Sequence, residues 1–179
     1  MEQKLSEKLF QALVQLQGNK IYIGRHENEM NDGLRDMLNM VFECADQTRQ
    51  GISESEIDTG EVDILIKQNG IPVSVIESLR INYLAKDLIK RHINKVLTKY
   101  DFNGCKIVNV VIYAIMTDFD AFWKKCCKYL EEECEYPYKV LKGFEDCDTC
   151  LAESRHGKVL LEREGVAVSL HIYSIHMRE

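Results

Sequence analysis

Asp63 and Glu77 are the side chains whose types and spacing first point to chemistry. They sit in two β-branched runs, EVDILIK (61–67) and IPVSVIESL (71–79), separated by Gln68-Asn69-Gly70. Asn-Gly between two such runs is a strong hairpin signal. A hairpin can bring strand positions on either side of its turn into one neighbourhood. Two carboxylates converging near a sheet edge suit Mg²⁺ (or Mn²⁺), a hard cation that takes oxygen ligands and keeps several waters. Such an ion polarises a phosphodiester and supplies an activated water. Acids on strands are more often simply solvated, so the pair needs support from its surroundings.

The elements that must position these acids are legible from periodicity. Leu5, Leu9, Ala12, Leu13 and Leu16 predict a first helix ended by Gly18-Asn19. Residues 20–23 (KIYI) read as an edge strand. Met30, Leu34, Met37, Leu38 and Val41 predict a second helix from about Glu27, and the polar segment after it starts as a strand near Cys44. Leu84, Leu88, Ile89, Ile93, Val96 and Leu97 mark a third helix, and residues 106–115 (KIVNVVIYAI) a buried central strand. Thr117 or Asp118 can cap a helix carrying Phe119, Phe122, Trp123, Cys126 and Leu130. Strands follow at 138–141 and 166–177. The expected fold is α/β (α+β): a mixed central sheet flanked by helices, helix first, in one domain (1–179). Its core is 25–125, with 126–179 a C-terminal helix and strand extension.

Composition narrows the function classes. The 179 residues are 45% hydrophobic and 29% charged, ordinary for a globular protein. No apolar run approaches the roughly 18 residues of a membrane span, and the amphipathic start is no signal peptide. A cytoplasmic location and no membrane partner are expected. Seven cysteines, an odd number, then read as reduced thiols. A net charge of −6 is not that of a general nucleic-acid binder. Any DNA contact must come from a local basic face or a partner subunit. The third helix offers such a face: Lys86, Lys90, Arg91, His92, Lys95 and Lys99 stand against one acid, Asp87. A merely solvated face is the plain alternative.

Cys147-x-x-Cys150 has the spacing of half a zinc site, to be completed by Cys134 and either Cys126 or His156. The separations are irregular and only one paired motif exists, so zinc is not expected. His171 and His176 read as structural or capping residues in the final strand.

GEVDILI, the short hairpin, VIESL and a helix with RHINKVL together resemble the PD-(D/E)xK nuclease superfamily. The stretch from ENEMNDGLRDML through DQTRQGIS to YDFNGCKIVNVVIY looks like nuclease domains of bacterial phage-defence proteins. The resemblance covers roughly residues 25–125 and implies a restriction-endonuclease-like fold. It implies Asp63 and Glu77 as metal-binding and catalytic carboxylates, joined by a helix acid, Glu29, with Glu27 as fallback. It also implies substrate contacts from Gln47 and Arg49. The family places a catalytic lysine two residues after the Glu, where this chain has Leu79. Lys95 is the first candidate for a relocated lysine and Lys67 the second, while Arg80 could stabilise a phosphate but hardly act as a base. The implied activity is metal-dependent cleavage of double-stranded DNA by a homo-oligomer or a subunit of a defence complex. A nuclease fold that has lost catalysis and serves in binding or assembly is the alternative. A cysteine-based metal or redox sensor ranks last.

Overall fold

The computed structural model describes residues 1–45 and 62–178. Two hydrophobic cores, one on each face of a single sheet, organise it into three layers. Among the described residues the four α-helices are α1 (Glu2–Gly18), α2 (Glu27–Asn39), α3 (Lys86–Lys95) and α4 (Phe119–Lys128). The strands are β1 (Glu43–Ala45), β2 (Ile64–Gln68), β3 (Ile71–Ile81), β4 (Ile107–Ala114), β5 (Lys139–Cys147), β6 (Ser154–Arg163) and β7 (Val166–His176). They form one seven-stranded mixed sheet in the order β1-β2-β3-β4-β7-β6-β5. The expected α/β class with a mixed sheet flanked by helices is what the chain adopts. No helix among the described residues is long and apolar enough to cross a membrane.

α1 and α2 cover one face with Leu5, Leu9, Leu13, Leu16, Met30 and Leu34, which meet Ile64, Ile76, Tyr113 and Tyr173. Two hydroxyls tie these helices down: Ser6 pairs with Tyr173 (2.7 Å) and Tyr113 donates to Asn31 (2.9 Å). α3 and α4 cover the other face with Ile89, Ile93, Phe122 and Trp123, against Val75, Leu79, Val110 and Ile172. Asp118 caps α4, accepting the Ala121 N–H at 2.9 Å.

The hairpin forms as the sequence predicts. Asn69 (φ 53°) and Gly70 (φ 74°) both take the left-handed conformation of a two-residue turn. β3 and β4 then run parallel from Ser74↔Ile107 to Ile81↔Ala114. The buried strand β4 lies at the sheet centre, as its unbroken apolar run requires.

Two expectations for local structure fail. Lys20–Tyr22 is a turn of 3₁₀ helix rather than a strand: the Asn19 side chain accepts the Ile21 N–H at 3.1 Å, and Gly24 (φ 67°) turns the chain into α2. The segment 126–179 contributes three strands to the same sheet, and β7 pairs with β4 at its centre.

β6 was not foreseen, and Gly157 within it explains part of its disguise. A Cβ there would stand 2.2 Å from the Phe144 ring and 3.1 Å from the Glu145 carbonyl oxygen. Phe144 in turn packs edge-on against the buried Trp123. Gly157→Ala should therefore lose about 1–3 kcal/mol through overpacking, although Ala is the better strand residue. Urea unfolding checks this, and an unchanged or raised midpoint would contradict the packing argument.

Candidate functional site

β3 outruns β2, and the acids gather at the step this leaves. The last β2–β3 pair at this end is Ile64↔Ile76, yet β3 continues to Ile81. Its N–H groups on the β2 side therefore need other acceptors. Asp63, one residue before β2, accepts the Ser78 N–H through Oδ2 at 2.6 Å. Glu27, at the start of α2, accepts the Arg80 N–H through Oε2 at 2.7 Å. The two carboxylates continue the ladder where the partner strand is missing.

Glu77 approaches the same place from the middle of β3. It is 4% exposed. Its Oε1 accepts from Nδ1 of His92 on α3 at 2.9 Å, and its Oε2 is buried without a partner. A buried carboxylate oxygen left unpaired costs roughly 1–3 kcal/mol or more. Strand alternation explains the convergence. With Ile64 opposite Ile76, Asp63 falls opposite Glu77 on one face.

Electrostatics register this crowding. Burial, then the nearby Glu77 and Glu27 charges, push the Asp63 carboxyl from 3.8 up to about 8, against the lowering effect of the Ser78 N–H. Glu27 is also raised, chiefly by burial and partly by Glu77, while its Arg80 N–H bond and His92 lower it. Three acids thus lie within reach of one another's charge, and a protein with a net charge of −6 gives them little relief.

The helix acid at this site is Glu27, the fallback expectation, not Glu29. Glu29 accepts the His26 N–H at 3.0 Å and pairs with Arg25 at 2.9 Å, turned outward to cap its own helix.

Leu79, where the family lysine would stand, is 1% exposed in the core between β3, α3 and α4. Lys95 follows His92 by one turn on α3, with its Nζ 5.8 Å from the centre of the Tyr100 ring. Lys67 lies beyond a bulge at Ile66/Lys67, beside the turn, about 13 Å along the strand from Asp63 at ~3.3 Å per residue. It does not reach the acids. The extra residue of the bulge, Val73, is on β3, so β2 keeps its alternation and distance along the strand is what separates Lys67 from Asp63.

The basic helix is less available than its composition implies. Lys86 pairs with Glu133 (2.6 Å) and Lys90 with Glu135 (2.5 Å). His92 points inward to Glu77, and Arg91 is exposed on the outer side. Gln47 and Arg49 lie outside the described residues. His176 is structural as expected, bonded to Glu153 and to the Met116 carbonyl.

Among the described residues no three His, Cys, Asp or Glu side chains are spaced to hold a metal together. Asp63 and Glu77 remain a two-carboxylate set, which suits Mg²⁺ because that ion fills its other positions with water and substrate oxygens. The unpartnered Glu77 Oε2 and the mutual repulsion of the acids are what a hard cation would relieve. Comparison of the chain with family models, curated proteins and solved structures returns no match.

Proposed function

We propose that this protein is a metal-dependent DNA endonuclease of the restriction-nuclease type, acting in the cytoplasm as an effector of bacterial defence against phage. The observation that carries the reading is the meeting of Asp63 and Glu77 at the step between β2 and β3, with one Glu77 oxygen buried and unpartnered. The hairpin, the following helix and the parallel strand β4 agree with a restriction-endonuclease-like core. The phage-defence assignment rests on sequence resemblance alone.

Asp63 and Glu77 would hold Mg²⁺ or Mn²⁺, with Glu27 at the rim. The bound ion would supply charge neutralisation at the scissile phosphate and a more acidic water. His92 fixes the Glu77 carboxylate by its Nδ1–H bond, leaving Oε2 directed away from the helix contact. Lys95, one turn after His92 on α3, is the first candidate for the cation that Leu79 cannot provide. A homo-oligomer, or a place in a larger complex, would supply the second site needed to cut both strands.

Two observations favour the alternative, a nuclease-fold module that binds or assembles without cutting. Leu79 is committed to the core, and Glu133 and Glu135 already neutralise Lys86 and Lys90. Plasmid cleavage with Mg²⁺ or Mn²⁺ decides between them. We expect cutting by the wild type, abolished in Asp63→Ala and Glu77→Ala. No cutting with either metal would leave the binding module as the function.

A further inference from the structure

We propose that Glu133 and Glu135 confine the DNA-binding surface of α3 to the flank beside the carboxylate site. They neutralise Lys86 and Lys90, so that a backbone phosphate is met by Arg91 and not by them. That confinement rests on the reading of α3 as a DNA-binding helix, but not on cleavage.

The helix carries its cations on two flanks. Lys86 and Lys90 are one turn apart and share one of them. Residues two apart on a helix point about 160° apart round its axis, so Lys90 and His92 stand on opposite flanks. His92 turns to Glu77, and Lys95, three residues on, shares its flank. Arg91 lies between the flanks on the outer side, exposed. Among the described residues no carboxylate pairs with Arg91.

The acids arrive from the segment after α4. A turn of π helix, Tyr129–Glu133, follows that helix, and Cys134 after it is extended (φ −73°, ψ 118°). Cys134 packs against the core, so Glu133 and Glu135 on either side of it face outward together. Glu133 then meets Lys86 at 2.6 Å and Glu135 meets Lys90 at 2.5 Å. Two alternate chain positions thus serve two lysines one helical turn apart.

Neutral groups hold this segment in place. Tyr129 donates its hydroxyl to the Lys86 carbonyl and Tyr138 to the Leu97 carbonyl, each at 3.1 Å. Those carbonyls lie at the start of α3 and in the turn of π helix (Val96–Tyr100) that follows it. Tyr129 and Leu130 are buried in the core, and Tyr136 donates to the Leu130 carbonyl at 2.8 Å. The Glu133 and Glu135 side chains are 47% and 83% exposed, and ion pairs so exposed add little to folding. The segment docks without them, yet their charge decides where DNA can bind. A lysine free of carboxylates releases counterions from DNA when it neutralises a phosphate. A lysine already paired only exchanges one anion for another.

The test is anisotropy of a short labelled DNA duplex with the full chain, without divalent metal, from roughly 50 to 200 mM salt. Each phosphate neutralised contributes about 0.9 to the slope of log affinity against log salt. Arg91→Gln should lower the wild-type slope by about 0.9, and Lys86→Gln/Lys90→Gln should leave it unchanged. Glu133→Gln/Glu135→Gln should raise the slope by about 2 and the affinity by about 10-fold. Adding Lys86→Gln/Lys90→Gln should remove both gains. Glu131→Gln/Glu132→Gln makes the same change of charge on acids that pair with neither lysine, and should raise affinity by less than about 3-fold. A wild-type slope that falls with Lys86→Gln/Lys90→Gln, or a gain that survives their addition, overturns the proposal. So does an equal gain from Glu131→Gln/Glu132→Gln, or no binding by any variant. Plasmid cleavage separates the two readings: the expected slopes without cutting would sink the nuclease alone, and cutting with a slope blind to Arg91→Gln would sink the confinement alone.

Discussion

Asp63→Asn is expected to make the protein more stable and, in the same molecule, to abolish metal-dependent cleavage. In the folded chain Asp63 keeps its proton up to about 8, whereas the unfolded carboxyl ionises near 3.8. Between those values the folded state binds one proton more than the unfolded state, so its stability falls as pH rises. Above about 8 the whole penalty is present, and below about 3.8 none of it is. At ~1.4 kcal/mol per pH unit the upper bound is roughly 5–6 kcal/mol. Partial exposure of Asp63 lowers the expectation to at least about 2 kcal/mol at pH 8. Asparagine removes the charge but keeps an oxygen for the Ser78 N–H, so its advantage should grow from pH 4 to pH 8.

Cleavage should move the other way, falling by about 10³-fold or more, equivalent to ~4 kcal/mol of transition-state stabilisation. The combination separates function from architecture. An acid kept only to cap β3 would be best as Asn in both assays. Thermal unfolding from pH 4 to pH 8 beside plasmid cleavage makes the measurement. A destabilised variant at pH 8 would show that the negative charge itself holds the strand end. Millimolar Mg²⁺ should raise the wild-type midpoint and leave Asp63→Asn unmoved, because the ion relieves the same repulsion.

What the sequence made legible was local. Asn69-Gly70 announced its turn because both residues tolerate positive φ, and β4 announced its burial because both of its faces are apolar. The hairpin brought Asp63 and Glu77 into one neighbourhood, but the register of its turn alone would put Asp63 opposite Ile76, and the extra residue Val73 in β3 is what sets it opposite Glu77. Glu29 misled because the helix start was read from apolar spacing. With His26 as N-cap, Glu29 is the third helical residue, where a carboxylate reaches back to its own cap. Glu27, at the first helical position, is left to reach β3. That cap signal was present in the sequence.

Other features were not local. The place of β7 between β4 and β6 depends on contacts far apart in the chain. The bulge that adds Val73 to β3 opposite Ile66/Lys67, and so shifts Glu77 opposite Asp63, leaves no mark in residue type. β6 was hidden by Gly157 and by a closing turn at Glu164-Gly165, where a glutamate takes φ 50° instead of the usual Asn or Asp. The ion pairs that occupy Lys86 and Lys90 come from Glu133 and Glu135, more than 40 residues later. Helix composition alone could not reveal that neutralisation.

Arg163→Ala should produce the largest loss of stability, about 3–5 kcal/mol, from a residue outside the site. Asp101 has a fully buried carboxylate just after the turn of π helix that extends α3. Arg163, near the end of β6, donates Nη1–H to Asp101 Oδ2 at 2.7 Å and Nη2–H to the Asp101 carbonyl at 2.8 Å. Asp101 Oδ1 also accepts the Cys105 N–H at 3.0 Å, setting the chain's entry into β4. Removing the guanidinium strands a buried negative charge, which is worse than removing the pair. Asp101→Asn with Arg163→Met should therefore cost less than the sum of the single changes, by at least about 1 kcal/mol in a double-mutant cycle. Arg163→Lys should fall between, since an ammonium cannot serve both oxygens in fork geometry. Additive costs would mean that Arg163 acts mainly by packing its guanidinium 5.6 Å from the centre of the Tyr138 ring. Because the pair anchors the far end of the helix that carries His92, its loss should also loosen the hold on Glu77. Cleavage by Arg163→Ala, assayed well below its unfolding transition, should then fall less than in Glu77→Ala but measurably below wild type.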